Sequence, residues 1–359
     1  MTEIIFGSDN QGGVSPEILE AMARCNAGTA VAYGDDDYSR QLNVAFSEIF
    51  ERDAFVFATS TGTAANALAL SAITPPYGET VCHEAAHIVT TEGGAPEFYA
   101  GGSRMFGIPG HDGKIAPSDL QAVLDDRMRP SRHHYACSSL SITQSTEVGT
   151  IYSLDELSAL SEIAHAHGLR VQMDGARFTN ALVALEASPA EMSWRAGIDV
   201  LSFGTTKNGT MNAEVVVTFD PEMARDLGFR QKRAGLLISK MRFVSAQLLA
   251  FLQDDLWLRN ARRANATAKA LASVLERTPG VRLAYPVQTN QIFADIDPGV
   301  TAILEKSGFR FRAWDYRRPT WHRIMTSFEH DEASVDRVRQ ALASVLIDEE
   351  VARDRFAVR

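Results

Sequence analysis

The apolar positions of this chain follow two alternating patterns. Short continuous runs rich in Val, Ile, Phe and Leu alternate with longer stretches in which apolar residues return every three or four positions. The first pattern belongs to strands buried on both faces, the second to amphipathic helices. Residues 54–58 (AFVFA), 79–82 (ETVC), 134–142 (HYACSSLSI), 169–173 (LRVQM), 199–203 (DVLSF) and 213–219 (AEVVVTF) read as strands. Helices are predicted over 16–25, where Ser15 precedes Pro16 at the first helical position, and over AANALALSAI after TSTGT. Another runs from Leu154 to His167 and stops at Gly168, a left-handed cap. Strands alternating with helices predict an α/β fold with a mostly parallel sheet covered on both faces.

Beyond residue 250 the pattern changes. A helix-rich stretch from Leu248 to Arg277 is closed by Pro279 and Gly280. TNQIFADI then reads as a strand, 299–307 as a helix, HRIMTSF as a strand and 331–347 as a helix. The expected organisation is an N-terminal arm (1–15), a large α/β domain (16–250) and a smaller C-terminal α+β domain (251–359).

Composition narrows the function. With 45% hydrophobic and 22% charged residues among 359, the chain has the balance of a globular protein. A net charge of −10 argues against coating nucleic acid or an anionic membrane. No apolar run approaches the roughly 18 residues of a membrane span. MTEIIFGSDNQGG carries neither the basic nor the apolar region of a secretory leader. The three cysteines, at 25, 82 and 137, are too few and too scattered for a disulfide framework or a zinc knuckle. Reduced thiols in a cytoplasmic protein are expected.

In α/β sheets ligands bind beyond the C-terminal ends of the strands, so the residues following each strand matter most. After the first comes Ser60-Thr61-Gly62-Thr63 and a helix start, a combination suited to phosphate. After 169–173 comes Asp174-Gly175-Ala176-Arg177, and after 199–203 Gly204-Thr205-Thr206-Lys207-Asn208-Gly209. A lysine in a tight Gly-flanked turn at a sheet mouth is suited to act as an amine nucleophile. Each feature alone has a plain structural counterpart: a capped helix start, an ion pair, a solvated loop lysine. Residues 83–87, His-Glu-Ala-Ala-His, match a zinc-hydrolase pattern that requires one helix carrying both histidines. Pro75, Pro76 and Gly78 before it and Gly93-Gly94 after it leave little room for such a helix. His87 then reads better as an aromatic plate or acid–base group, and His83 as a turn residue. A phosphate loop, a His, an Asp with Arg and a Lys, in that order, is the layout of a pyridoxal 5'-phosphate site.

These residues resemble those of the L-threonine aldolases, within the aromatic amino acid β-eliminating lyase group of fold-type I pyridoxal-phosphate enzymes. The resemblance rests on Ser8-Asp9, Tyr33-Gly34-Asp35-Asp36, Thr61-Gly62-Thr63 with Asn66, Ala85-Ala86-His87, Asp174 to Arg177 and Ser202 to Gly209, and extends to Arg323. It implies a seven-stranded sheet and cleavage of the Cα–Cβ bond of threonine, allo-threonine or related β-hydroxy-α-amino acids to glycine and an aldehyde. Lys207 would carry the cofactor covalently, Gly62 and Thr63 cradle its phosphate, His87 stack on its ring and Asp174 bond the ring nitrogen. Ser8, Arg177 and Arg323 would hold the substrate carboxylate, with Arg177 also near the ring hydroxyl, and Tyr33 would line the substrate cavity. The resemblance further implies a homotetramer with sites at a dimer interface, where Lys232, Arg233 and Lys240 would reach a neighbour's phosphate. One position departs from the pattern: many members carry a second histidine where Thr143–Gly149 (TQSTEVG) has Glu147. Glu147 is compatible with low specificity or with aryl substrates such as phenylserine. The base that takes the hydroxyl proton is left open between His87, Glu147 and a water. Rival readings are a β-eliminating lyase or aminotransferase on the same cofactor, a zinc hydrolase on HEAAH, and a non-catalytic binding protein.

Overall fold

The computed structural model describes residues 3–128 and 132–345. Its strands are β1 (Ile4–Ile5), β2 (Phe55–Thr59), β3 (Gly78–His83), β4 (Arg104–Ile108), β5 (Ala136–Thr143), β6 (Arg170–Gly175), β7 (Val200–Phe203), β8 (Glu214–Thr218), β9 (Val281–Leu283), β10 (Gln291–Ile296), β11 (Phe309–Arg310), β12 (Arg312–Asp315) and β13 (Arg318–Met325). Two compact units divide the described residues: those within 14–147 and 151–258, and those within 3–13, 148–150 and 259–345.

The larger unit is built on a seven-stranded sheet of order β2-β8-β7-β6-β5-β3-β4. All neighbours from β7 to β4 run parallel, and β8 alone runs against its two partners. Strands β7 and β8 are buried along their whole length, as their mostly apolar sequences require. Six aromatic side chains, Phe46, Phe50, Phe178, Phe203, Phe251 and Trp257, interlock on one face with ring centroids 5.2–6.4 Å apart. Cys25, Cys82 and Cys137 are all buried and unpaired.

The smaller unit holds a four-stranded antiparallel sheet, β12-β13-β10-β9, and the parallel pair β1-β11. Its core gathers Phe6, Leu271, Leu275, Ile292, Ile296 and Phe309.

The helix-rich stretch expected from Leu248 to Arg277 is formed by two helices, Arg242–Leu252 and Leu256–Glu276. Asp254 and Asp255, at φ 51° and 55°, break it; Asp is among the side chains that tolerate the left-handed region. Strand β4 and the helix Asp37–Phe50 have no counterpart in the sequence reading. The former is a sheet edge with a half-buried pattern, which blurs its apolar run. The strand expected at HRIMTSF begins earlier, at Arg318, and the last helix spans Glu332–Ala341; residues 346–347 of its predicted range lie outside the described residues. Among the described residues no helix is long and apolar enough to cross a membrane.

Candidate active site

The candidate site of the larger unit is assembled where β5, β6 and β7 end. Strand register sets Asp174 opposite Ser202 and Thr143 opposite Asp174. Lys207 follows β7 in a single 3-10 turn, Thr206–Asn208. Two glycines let the β6 and β7 ends approach. A Cβ at Gly204 would stand 2.5 Å from the carbonyl oxygen of Ala176, and one at Gly175 would stand 2.7 Å from that of Ser202. The turn closes at Gly209, whose φ of 121° suits only glycine. Below it, Asn208 Nδ2 donates to Trp257 O at 2.9 Å, which ties the lysine turn to the aromatic cluster. Glu214, the buried first residue of β8, accepts from the Thr205 amide at 2.9 Å and the Thr206 amide at 3.4 Å. Burial raises its pKa, and the nearby Lys207 opposes that shift.

Asp174 is 2% exposed. Its Oδ1 accepts from the Ala176 amide at 3.0 Å and its Oδ2 from Asn66 Nδ2 at 2.8 Å. Asn66 lies in the helix Gly62–Ile73 and also donates to Glu92 Oε1 at 2.8 Å. Glu92 Oε1 in turn lies 2.8 Å from His87 Nδ1. His87 opens the one-turn helix His87–Thr90, and its amide donates to Glu147 Oε1 at 2.9 Å. Thr143 Oγ1 donates to the same oxygen at 2.8 Å. Glu147 Oε2 is buried with no partner among the described residues. Burial pushes its carboxyl up to about 7, partly offset by the Thr143 hydrogen bond. The bond to Glu92 raises the His87 pKa against the effect of burial.

The loop expected to take a phosphate, Ser60–Thr63, leads into a helix N-terminus. Thr61 Oγ1 caps Gly62–Ile73 by accepting from the Ala64 amide at 3.1 Å, and a Cβ at Gly62 would meet no atom within 4 Å. The backbone of Gly62 and Thr63 therefore opens onto free space. Arg177 precedes the helix Phe178–Leu185 at the end of β6. Tyr33, half-exposed, has Lys232 Nζ 4.6 Å above its ring.

Ser8 and Arg323 belong to the smaller unit. Ser8 Oγ accepts from the Asn10 amide at 3.2 Å. Arg323, on β13, donates to Gly7 O at 3.1 Å, so the two predicted carboxylate ligands are close neighbours. Its guanidinium carbon lies 5.6 Å from the centroid of the Trp314 ring.

HEAAH does not form a helix. His83 ends β3, where its Nδ1 accepts from the Ala85 amide at 3.1 Å as a turn residue, and His87 begins the next element. Among the described residues no group of three His, Cys, Asp or Glu is arranged to hold a metal. Sequence reasoning passed over Glu92 and Glu214. The signal for Glu214 is a lone carboxylate opening an all-apolar strand. Glu92 offers only an acid placed just before Gly93-Gly94.

The donor set fits pyridoxal phosphate. An amine at the mouth of β7, a buried carboxylate at the end of the adjacent strand, an open helix N-terminus and an imidazole anchored by a carboxylate are the contacts that cofactor needs. A mostly parallel sheet with this constellation at its strand ends defines the fold-type I class of pyridoxal-phosphate enzymes. The beta-eliminating lyase family model matches residues 6–298. The low specificity L-threonine aldolase of Pseudomonas aeruginosa is 42% identical over 93% of this chain and 95% of its own length. That of another Pseudomonas strain is 41% identical over 95% and 96%. The structure of Leishmania major threonine aldolase superposes with a TM-score of 0.87 at 28% identity, covering 95% of this chain and 99% of that one. This chain belongs to the beta-eliminating lyase family, and the α/β architecture expected from the sequence is the one observed.

Proposed function

We propose that this protein is a pyridoxal-phosphate-dependent carbon–carbon lyase. It cleaves L-threonine, L-allo-threonine and related β-hydroxy-α-amino acids, phenylserine included, to glycine and an aldehyde. The observation that carries this reading is the close approach of the Lys207 turn to the Asp174 strand end, in a chain 42% identical to a low specificity L-threonine aldolase. When bound, the cofactor supplies an electron-accepting ring that stabilises the electron pair left at the substrate Cα. Lys207 would hold the cofactor through its side-chain amine. Asp174 would face the ring nitrogen and favour its protonated form. Gly62 and Thr63 bind the phosphate, His87 covers the ring, and Tyr33 lines the substrate cavity. Ser8, Arg177 and Arg323 fix the carboxylate, the arginines in a fork geometry. Holding the carboxylate there would favour breaking the Cα–Cβ bond over the Cα–H bond. The β-hydroxyl proton passes to His87, Glu147 or a water between them. Burial lifts the Glu147 carboxyl to about 7, and the bond to Glu92 raises the His87 pKa; both shifts favour the form that holds the proton a base must take up.

The protein is a homotetramer with sites at a dimer interface, a reading supported by the exposure of Tyr33, Phe98 and Tyr99. Lys232, Arg233 and Lys240 then serve a neighbour's phosphate. Three buried, unpaired thiols favour the cytoplasm.

Aldehyde release from L-threonine, L-allo-threonine and phenylserine, with the absorption spectrum recorded alongside, tests the assignment. Glycine plus aldehyde is expected; pyruvate plus ammonia would mean elimination instead. Lys207→Ala should lose both turnover and the yellow band of the holoenzyme. A retained band would remove Lys207 from its role.

A further inference from the structure

Glu92 has no role in the reading above, yet it is the hub of the buried network. Its side chain has no exposure, and one oxygen, Oε1, faces two partners: Asn66 Nδ2 at 2.8 Å and His87 Nδ1 at 2.8 Å. The hydrogen-bond directions are determined by the surroundings. Ser141 donates to Gln172 Oε1, and Gln172 Nε2 donates to Asn66 Oδ1 at 3.1 Å. The Asn66 amide nitrogen must then point away from Gln172, with one hydrogen for Glu92 and one for Asp174 Oδ2. An ionised carboxylate only accepts, so the proton between Glu92 and His87 sits on His87 Nδ1. Nε2 is left as the nitrogen that gains or loses a proton.

We propose that Glu92 is the positioning residue of the site: it holds the His87 ring with Nδ1 protonated and joins it, through Asn66, to Asp174. The two side chains assigned to the cofactor ring, one for its face and one for its nitrogen, are thereby parts of a single hydrogen-bonded unit. The charges bearing on His87 act in both directions. Glu92 and Asp174 favour the imidazolium, Lys207 disfavours it, and the Glu147 carboxylate holds its backbone amide. A structural filler at position 92 would serve as well neutral as charged; a positioning carboxylate would not.

Nitrogen-15 shifts of the His87 ring, followed against pH in the holoenzyme and the cofactor-free chain, test this directly. Nδ1 should carry its proton across the whole titration, and a wild-type chain with Nδ1 deprotonated at high pH overturns the proposal without any substitution. In Glu92→Gln the His87 midpoint should move to lower pH. The kcat should fall by roughly 10²-fold, the low end of what a general acid–base group contributes, with KM little changed. Glu92→Asp, which keeps the charge, should recover most of that loss. An unmoved midpoint in Glu92→Gln, or a Glu92→Asp enzyme as slow as Glu92→Gln, overturns it. The place of His87 beside the cofactor rests on the proposed function, but the tautomer does not. A chain that keeps the Nδ1 proton and releases no glycine refutes the aldolase reading and leaves this one standing.

Discussion

The two ends of the seven-stranded sheet carry buried carboxylates in different company. At the N-terminal end, Glu79 of β3 is buried and accepts two 2.8 Å hydrogen bonds from Arg127, with Arg104 at 3.7 Å. Asp199, just before β7, pairs with Arg170 at 2.7 Å and His165 at 2.9 Å. At the C-terminal end, Glu92, Glu147, Asp174 and Glu214 are held by amides, hydroxyls and an imidazole. A guanidinium in fork geometry neutralises a carboxylate and leaves it nothing further to do. Neutral donors orient the group while keeping its charge, or its proton, within reach of a ligand. One end of the sheet pairs its acids with guanidinium groups; the other holds them with amides, hydroxyls and an imidazole.

Substitutions at the two ends should therefore fail differently. The largest effect is expected at Asp174→Asn, which keeps the size of the side chain but not the charge that holds a ring proton. Turnover should drop by roughly 10³-fold, as for loss of a key electrostatic contact, with the melting temperature almost unchanged. Steady-state kinetics and a thermal melt check both halves. At the other end, Arg127→Leu takes from the buried Glu79 its two hydrogen-bonded contacts and leaves it only Arg104, at 3.7 Å. Unfolding free energy should fall by about 4 kcal/mol. Urea titration reads that loss, and the holoenzyme spectrum of the surviving folded fraction should match wild type. A changed spectrum would mean that the two ends are coupled.

The third expectation concerns Glu147, whose carboxyl is raised from 4.5 to about 7 in the folded chain. Because the folded state holds this proton more tightly than the unfolded state, its contribution to stability is complete below pH 4.5. It is lost as the pH rises toward 7, amounting to about 3 kcal/mol. Glu147→Gln removes that slope: the variant should match wild type at low pH and exceed its stability above pH 7. Parallel stability–pH curves for the two proteins would show that Glu147 ionises freely in the folded state.

Much of the site was legible because its parts obey local rules. Asp174 and Lys207 each come after a short strand-like stretch, LRVQM and DVLSF, so their placement at the C-terminal ends of strands follows from stretch length and flanking glycine. Thr61 and Gly62 announce a helix start by capping chemistry alone. HEAAH failed as a zinc helix for the reason visible in the chain, since prolines and glycines crowd it on both sides. The edge strand β4 and the break at Asp254-Asp255 escaped because neither marks its residues with a distinctive period.

The sequence by itself determined which residues stand at strand ends and helix starts, since those depend on the spacing of neighbours along the chain. Only the tertiary structure decided that β6 lies between β5 and β7, and that Asn66 bonds an aspartate 108 positions away. It alone made Glu92 the partner of His87 and Arg127 the partner of Glu79. Those pairings turn on how strands and helices cross over one another. A buried carboxylate takes its role from the donors that the crossovers bring to it, and no local spacing encodes which ones those are.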